Sequence, residues 1–252
     1  MSKLSLNDTT NNHTCQYIFG DNRHPQSEFI YTDLSETFPG YQYDKFKGES
    51  TYRGEVVGEG GYVYSEPGMY YDVALLDVTS MHPHSAYALK IFGEYYTERY
   101  MDLVRTRVHI KHGKEEAKNR GIDINSPEFY ELDEIKQALA MCDGLIGKAV
   151  EELGISIIEL DKALKVPINA VYGLTSAKFE NRARDPRNID NIVAKRGALF
   201  MINLKYEVQK RGFTVAHIKT DSIKIPGATP EIISFVMEYG KKYGYNFEHE
   251  ES

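Results

Sequence analysis

The chain has few of the features that would place it in a membrane or outside the cell. Its 252 residues contain no run of about 18 apolar residues, so no membrane-spanning helix is predicted. The first 15 residues have no apolar segment typical of a secretory signal peptide. The only cysteines are Cys15 and Cys142, which are too few and too far apart for a disulfide framework or a zinc site. The sequence therefore predicts a protein of the reducing cytoplasm.

Positive charge is outweighed by negative charge, because 30 lysines and arginines stand against 37 aspartates and glutamates and the formal net charge is -7. This value argues against nucleic-acid binding through bulk electrostatics. Basic residues nevertheless predominate between Lys178 and Arg196. Because local patches rather than net charge decide such binding, the composition leaves nucleic-acid binding open.

The hydrophobic pattern predicts an α+β fold with a helical excursion in the middle of the chain. The polar first 14 residues are predicted to be disordered, and residues 51–72 to form a hairpin or loop. Ser126 and Pro127 are typical of a helix start. The other predicted elements are a strand at 73–76, helices at 94–120, 128–153, 157–172, 189–211 and 229–243, a hairpin at 213–226 and a strand at 245–250.

Residues 77–85 place an acidic side chain at the end of a predicted buried strand. The apolar residues before Asp77 would hold it rigidly, and the turn after it would point the carboxylate away from the strand. An aspartate at such a position also serves as a helix N-cap or a turn former. This segment alone is therefore compatible with both a structural and a functional role.

A second segment, residues 165–173, carries three functional groups on one predicted helix face. Lys165 and Asn169 are four positions apart and Tyr172 follows three positions later, so a helix aligns them. A lysine, an amide and an aromatic ring on one face suit a triphosphate and a base. The alternative is a solvated helix face that ends at Gly173.

A third segment, residues 217–225, places Asp221 near the tip of a predicted hairpin. Aspartate and serine also occur in ordinary hairpin turns. Considered together with Asp77, however, Asp221 would complete a pair of carboxylates at two strand ends, separated in sequence by the Lys165 helix. Two such carboxylates can bridge a pair of Mg²⁺ ions, which prefer oxygen ligands and stabilise an in-line phosphoryl displacement.

The three segments resemble the motifs of family B DNA polymerases. The family's first motif is Asp-x-x-Ser-Leu-Tyr-Pro-Ser, which residues 77–84 match at the aspartate, serine and proline. The second is Lys-x-x-x-Asn-Ser-x-Tyr-Gly, which residues 165–173 match except at Ala170. The third contains Asp-Thr-Asp-Ser, which residues 219–222 match at Thr-Asp-Ser. The resemblance covers residues 55–250, and tailed-phage polymerases, including the protein-primed branch, are the most similar.

The resemblance implies a polymerase palm, which is an antiparallel sheet backed by helices, with inserted helical fingers. The palm would comprise residues 51–92 and 173–252, and the fingers residues 93–172. Residues 1–50 would be a polar, partly disordered segment. Neither exonuclease motifs nor a thumb domain are expected within the chain, so we expect weak DNA binding and poor processivity.

The resemblance also implies roles for residues near the two aspartates. Asp77 and Asp221, with the Val78 carbonyl, would hold two Mg²⁺ ions, for which Mn²⁺ can substitute. His82 takes the place of the family's tyrosine that rejects ribonucleotides, and its imidazole would still give partial sugar selection. Lys219 replaces the less essential first aspartate of the third motif.

Further roles are implied for the predicted fingers. Lys165 would contact the incoming triphosphate, and Asn169 and Tyr172 would shape the pocket for the nascent base pair. A second basic residue, either Lys111 or Arg105, would join Lys165.

Two other departures from the family pattern concern the backbone. Pro167 lies inside a predicted helix, where it removes a hydrogen bond and costs roughly 3 kcal/mol unless the helix kinks or begins there. Residues 60–61 resemble the Tyr-x-Gly-Gly element that contacts single-stranded template, but Gly58 stands in place of the tyrosine.

The resulting functional hypothesis is a DNA-directed DNA polymerase that acts on primer-template DNA and deoxynucleoside triphosphates, in a bacterium or a phage-infected cell. One alternative is a catalytically incomplete fragment or split subunit that needs a partner chain with a thumb or exonuclease. Another is a different palm enzyme such as a reverse transcriptase, which a preference for RNA templates would reveal.

Overall fold

The structure, a computed structural model, describes residues 6–20, 33–58, 60–175, 177, 179 and 191–250. It has a mixed α+β fold with antiparallel sheets, which confirms this part of the predicted fold class. The chain forms two compact units. The helical unit comprises Met1–Phe29 and Phe92–Arg184, and the sheet unit comprises Ile30–Ile91 and Asp185–Ser252. The boundaries of palm and fingers at 51, 93 and 173 stay predictions.

In the described ranges the secondary structure follows the chain in this order. The helices are α1 (Leu6–Phe19), α2 (Leu34–Thr37), α3 (Met81–Leu89), α4 (Glu94–Arg120), α5 (Asp133–Ala140), α6 (Leu145–Leu153), α7 (Ile157–Thr175), α8 (Ile192–Lys210) and α9 (Pro230–Lys242). The strands are β1 (Gln42–Asp44), β2 (Glu49–Tyr52), β3 (Glu55–Val57), β4 (Val63–Ser65), β5 (Val73–Val78), β6 (His217–Lys219), β7 (Ser222–Pro226) and β8 (Phe247–Glu250).

A five-stranded antiparallel sheet organises the sheet unit. Its strand order is β4-β6-β7-β5-β8, so the predicted strand at 73–76 lies beside the predicted hairpin, and both predictions are confirmed. Alternate residues of β5 and β7 are buried, as expected of strands with one covered face. The covered face carries Ala74, Leu76, Val78, Ile218, Ile223, Ile225 and Phe247, all of them buried.

Helices α8 and α9 belong to the same unit and are apolar on their buried sides. In α8, the Phe200 ring lies 4.7 Å from the ring of Tyr245, which lies two residues before β8. Thr229 is the N-cap of α9, because its hydroxyl accepts a hydrogen bond from the Ile232 N–H at 3.3 Å. Pro230 occupies the first turn, as is common at helix starts. These two predicted helices are confirmed.

A smaller antiparallel sheet, β1-β2-β3, precedes β4 in the chain. The turn between β2 and β3 contains only Arg53 and Gly54, whose φ angles are +49° and +78°. Positive φ at both central residues is typical of the type I′ turn, which matches the twist of a two-stranded ribbon. The hairpin interpretation of residues 51–72 is therefore right for its first part.

In the helical unit, α4 packs against α7 as well as against α5. The Tyr100 hydroxyl donates to the backbone oxygen of Ile168 at 2.9 Å. Further along α4, the Arg107 guanidinium forms a 2.9 Å ion pair with Asp161 of α7. Because higher numbers on α4 face lower numbers on α7, the two helices run antiparallel.

Two expectations are corrected by the structure, and a third lies mostly outside the described residues. Residues from Leu6 onward form α1 instead of a disordered segment, and Phe19 at its end is fully buried against Phe92, with ring centroids 5.5 Å apart. Ser126 does not cap a long helix, because a short 3₁₀ turn at Phe129–Glu131 follows and α5 begins only at Asp133. The basic stretch 178–196 falls mostly outside the described residues.

No helix within the described ranges has the length and apolar character needed to cross a membrane.

Candidate active site

Asp77 lies near the end of β5, on the half-exposed face of the five-stranded sheet. Its neighbours Leu76 and Val78 point to the covered face and are buried. Because these apolar side chains fix the strand, the backbone that carries the Asp77 carboxylate is held rigidly. This position is the strand end that the sequence predicts.

Asp221 lies in the turn that connects β6 with β7, and its side chain is exposed. The Asp221 backbone oxygen accepts a hydrogen bond from the Val78 N–H at 2.8 Å. The next residue, Ser222, lies directly opposite Asp77 in the ladder between β5 and β7. The structure thus brings Asp77 and Asp221, which are far apart in the sequence, to adjacent strand ends. We name these two residues the aspartate pair.

The aspartate pair lies in strongly negative surroundings. Burial raises the pKa of Asp77 to about 6, and a hydrogen bond with Glu250 and the charges of Glu250, Asp221 and Glu248 add to this shift. Both glutamates belong to β8, where Glu248 is directly opposite Asp77 and Glu250 is opposite Leu75. A carboxyl with so many acidic neighbours favours its protonated form unless a cation is bound.

Glu248 and Glu250 are candidate active-site residues that the sequence motifs did not indicate. The available signal was their spacing, because two glutamates separated by one residue in a predicted strand share one face. The sequence does not show, however, which strand β8 pairs with. Its pairing with β5 places both glutamates beside Asp77.

His82 lies in the first turn of α3, close to the aspartate pair. Burial lowers the pKa of its imidazole, and the negative charge of Asp221 opposes this shift. His82 is therefore a neutral imidazole at neutral pH. His84, to which the sequence assigned no role, is buried, and its Nδ1 lies 2.8 Å from the Ser80 backbone oxygen, so its role is to hold the first turn of α3.

The half-exposed face of the sheet has an acidic and a basic half. One row across the strands reads Lys219, Ser222, Asp77 and Glu248, and the next reads His217, Lys224, Leu75 and Glu250. The bases lie on β6 and β7, and the acids lie on β5 and β8. We name this surface the open face. Its polarity suits a ligand with phosphate groups on one side and metal-bound oxygens on the other.

The donor atoms at the aspartate pair suit a hard divalent cation. Carboxylate and carbonyl oxygens are ligands that Mg²⁺ prefers, and a cation would relieve the repulsion that raises the pKa of Asp77. Within the described part of the chain, no group of three or more histidine, cysteine, aspartate or glutamate side chains is arranged to hold a metal ion. Backbone oxygens, water or a bound phosphate can supply further ligands.

The second motif lies in the helical unit, on α7. Lys165 and Asn169 are exposed and Tyr172 is half-buried, which agrees with the predicted shared face. Pro167 is buried in the interior of α7, so the helix neither begins nor ends there. The structure describes these residues within their own unit, and their roles toward a nucleotide stay predictions.

The two candidates for the second basic residue both lie on α4. Since residue 100 is level with 168 and residue 107 with 161, Arg105 is about 3 Å from the level of Lys165 along the helix axis, and Lys111 about 12 Å. The Arg105 guanidinium is shared by Glu98 and Asp102, each at 3.0 Å. The axial position favours Arg105, although a phosphate would compete with two carboxylates for it.

Comparisons with known proteins give little further information. No protein family model and no curated protein matches the sequence. Among solved structures, the family B DNA polymerase from the hyperthermophilic archaeon Pyrobaculum calidifontis is a weak structural neighbour, with a TM-score of 0.48 and 16% sequence identity. The match covers 97% of this chain and 29% of the archaeal chain.

Proposed function

We propose that this chain is the palm and fingers portion of a DNA-directed DNA polymerase of the family B type, which adds deoxynucleotides to a primer 3′-hydroxyl. The observation that carries the proposal is the aspartate pair at two adjacent strand ends of an antiparallel sheet. Two carboxylates in this arrangement can hold the metal ions of a phosphoryl-transfer site.

In this proposal the sheet unit supplies the reaction centre. When bound, Mg²⁺ would stabilise the charge on the attacking and leaving oxygens. Asp77 and Asp221 would hold the metal, with the Val78 carbonyl as a further ligand. The neutral His82 would lie against the sugar of the incoming nucleotide, because it follows Asp77 by only five positions and experiences the charge of Asp221.

The helical unit would supply the groups that bind the incoming nucleotide. The exposed Lys165 ammonium would bind the triphosphate, and Arg105 or Lys111 would neutralise further phosphate charge. Asn169 and Tyr172, on the same face of α7, would bound the pocket for the new base pair. These contacts position the substrate, which is most of what phosphoryl transfer requires of a protein.

Single-nucleotide extension of a primed DNA template with Mg²⁺ tests this proposal. We expect the wild type to add the correct deoxynucleotide and Asp221→Asn to lose this activity. Glu238→Gln is a matched control, because Glu238 is an exposed acid on α9 whose pairing with Lys241 contributes little. Undiminished extension by Asp221→Asn would contradict the proposal.

Two other outcomes of the same experiment identify the alternatives. A chain that binds primer-template DNA and deoxynucleotides without extending the primer would be an incomplete subunit that needs a partner chain with a thumb or exonuclease. A chain that extends on an RNA template in preference to DNA would be a reverse transcriptase.

A further inference from the structure

The loop before β4 packs directly against the turn that carries Asp221. The Tyr62 backbone oxygen accepts a hydrogen bond from the Thr220 N–H at 2.8 Å. Next to it, a Cβ added to Gly61 would lie 2.3 Å from the Thr220 Oγ1 and 2.6 Å from its Cγ2. Real Cβ atoms essentially never come so close to another heavy atom, so any side chain at position 61 would force Thr220 to shift. We name residues 61 and 62 the strap.

The turn that the strap contacts has an unfavourable backbone conformation. Thr220 has a φ angle of +54°, which is rare and strained for a β-branched residue. The Asp221 N–H donates to the Lys219 backbone oxygen at 2.7 Å, which makes the turn tight. Such a conformation persists only where the surrounding structure holds it, and here the strap and the Val78 N–H hold the turn from two sides.

The strap is itself fixed by a polar cluster around a buried lysine. The Tyr62 hydroxyl donates to Glu55 at 2.7 Å and accepts a hydrogen bond from the Lys205 ammonium at 2.8 Å. Lys205 also binds Glu55 at 2.9 Å, as does the Tyr206 hydroxyl. The Lys205 side chain is only 4% exposed, so these partners are required to satisfy its charge. We name Glu55, Tyr62, Lys205 and Tyr206 the Lys205 cluster.

Electrostatics and packing make the Lys205 cluster rigid. Burial alone would raise the pKa of the Glu55 carboxyl, but the hydrogen bonds from Tyr62, Lys205 and Tyr206 outweigh it and lower that pKa. The Lys205 ammonium also lies 4.2 Å from the centre of the Tyr64 ring, a cation–π distance. Tyr62 is thus anchored to α8 and β3, which are firm parts of the sheet unit.

We propose that the strap is a positioning element for Asp221. The Lys205 cluster fixes Tyr62. The Tyr62 carbonyl and the close contact of Gly61 with Thr220 in turn fix the turn that orients the Asp221 carboxylate. The inference rests on the proposed function for its catalytic meaning. Its structural content, the dependence of the Asp221 turn on the strap, stands on the contacts alone.

Two adjacent glycines provide a matched test. A Cβ on Gly60 meets nothing within 4 Å, whereas a Cβ on Gly61 collides with Thr220, and neither glycine has a φ in the left-handed region. We expect Gly61→Ala to reduce kcat for primer extension by about 100-fold, the cost of roughly 1 Å of misplacement, with little change in KM. Gly60→Ala should leave Mn²⁺ binding and the amide exchange of residues 219–222 unchanged, because its methyl group meets no neighbouring atom.

Rescue distinguishes positioning from general damage. Thr220→Gly removes the three atoms nearest to the new methyl group and suits a positive φ, so Gly61→Ala combined with Thr220→Gly should regain most of the activity. Mn²⁺ titration followed by electron paramagnetic resonance, and amide exchange of residues 219–222, should report weaker metal binding and faster exchange in Gly61→Ala alone.

A gentler variant covers the case in which Gly61→Ala does not fold. Tyr62→Phe removes only the hydroxyl from the Lys205 cluster and should weaken Mn²⁺ binding about fivefold, the value of one hydrogen bond. Tyr64→Phe is its control, because the Tyr64 hydroxyl binds Glu66 instead. Unchanged Mn²⁺ binding and amide exchange in both Gly61→Ala and Tyr62→Phe would overturn the inference. A wild type that binds Mn²⁺ but extends no primer would count against the proposed function and leave this test intact.

Discussion

Asp77 shows how a single side chain at the proposed site lowers the stability of the fold. It is held near three other carboxylates, and its pKa is raised to about 6 mainly by burial. A folded state that keeps a carboxyl in such surroundings is destabilised at neutral pH relative to one with a neutral side chain. Functional sites commonly retain such unfavourable groups because the chemistry needs them.

The raised pKa gives a signed prediction for stability in the absence of metal. Between about pH 4 and pH 6 the unfolded state has lost the Asp77 proton while the folded state retains it, so the free energy of unfolding should fall as pH rises through this window. The side chain of Asp77→Asn does not ionise. The free energy of unfolding of this variant should therefore exceed that of the wild type by roughly 1–2 kcal/mol at pH 7, after allowance for partial screening. Urea unfolding from pH 4 to pH 8 with a chelator measures the difference, and a pH-independent difference would contradict the assignment.

His82 should contribute to the choice of sugar. Its neutral, half-buried imidazole lies near Asp221, where it would obstruct a 2′-hydroxyl. We expect His82→Ala to increase ribonucleotide incorporation relative to deoxynucleotide by about tenfold, the range of one small steric contact. Competitive single-nucleotide extension measures this ratio, with the exposed His249→Ala as control. An unchanged ratio in His82→Ala would exclude this role.

Among the elements, β6 and β7 carry the basic half of the open face. Lys219 and Lys224 are exposed there, on the same face as the aspartate pair. We expect Lys219→Gln combined with Lys224→Gln to weaken primer-template binding and to reduce the slope of log affinity against log salt by about 2, or nearly 1 for each phosphate contact. Lys241→Gln combined with Lys242→Gln, at the end of α9, is the control. An equal loss in both double variants would indicate a nonspecific charge effect.

The elements that could be predicted are those whose signal is local. The buried run of β5, the hairpin of β6 and β7, and the caps of α9 each specify their structure within a few residues. The second motif likewise forms one exposed face of α7, as its spacing indicates. These segments contain the aspartate pair and the residues of the second and third motifs, whereas the first motif continues into α3.

The elements that could not be predicted depend on distant contacts. The polar sequence of α1 has no helical periodicity. The burial of Ile18 and Phe19 shows that tertiary packing stabilises the end of this helix. The interruption between α5 and α6 occurs at Cys142 and Asp143, both with positive φ, where the Asp143-Gly144 dipeptide was an available turn signal that the predicted helix over 128–153 did not take into account. Strand pairing is the most consequential case, because only the pairing of β8 with β5 places Glu248 and Glu250 at the site.

For the whole molecule, the proposal requires the two units to serve one reaction, because the aspartate pair belongs to the sheet unit and Lys165 to the helical unit. We expect Lys165→Ala to raise the KM for deoxynucleotides by about 10–100-fold, the value of a hydrogen bond to a charged group, with DNA affinity unchanged. Lys148→Ala, an exposed lysine of α6, is the control. Steady-state extension kinetics would contradict the role of Lys165 if both variants had the wild-type KM.

The most direct test of the central claim is a crystal structure of the chain with primer-template DNA, a non-hydrolysable deoxynucleotide and Mg²⁺. We predict electron density for metal ions bound by both Asp77 and Asp221, with the triphosphate reaching from these ions to Lys165. A nucleotide bound elsewhere, or metal ions that contact neither aspartate, would contradict the assignment of this chain as a polymerase palm and fingers.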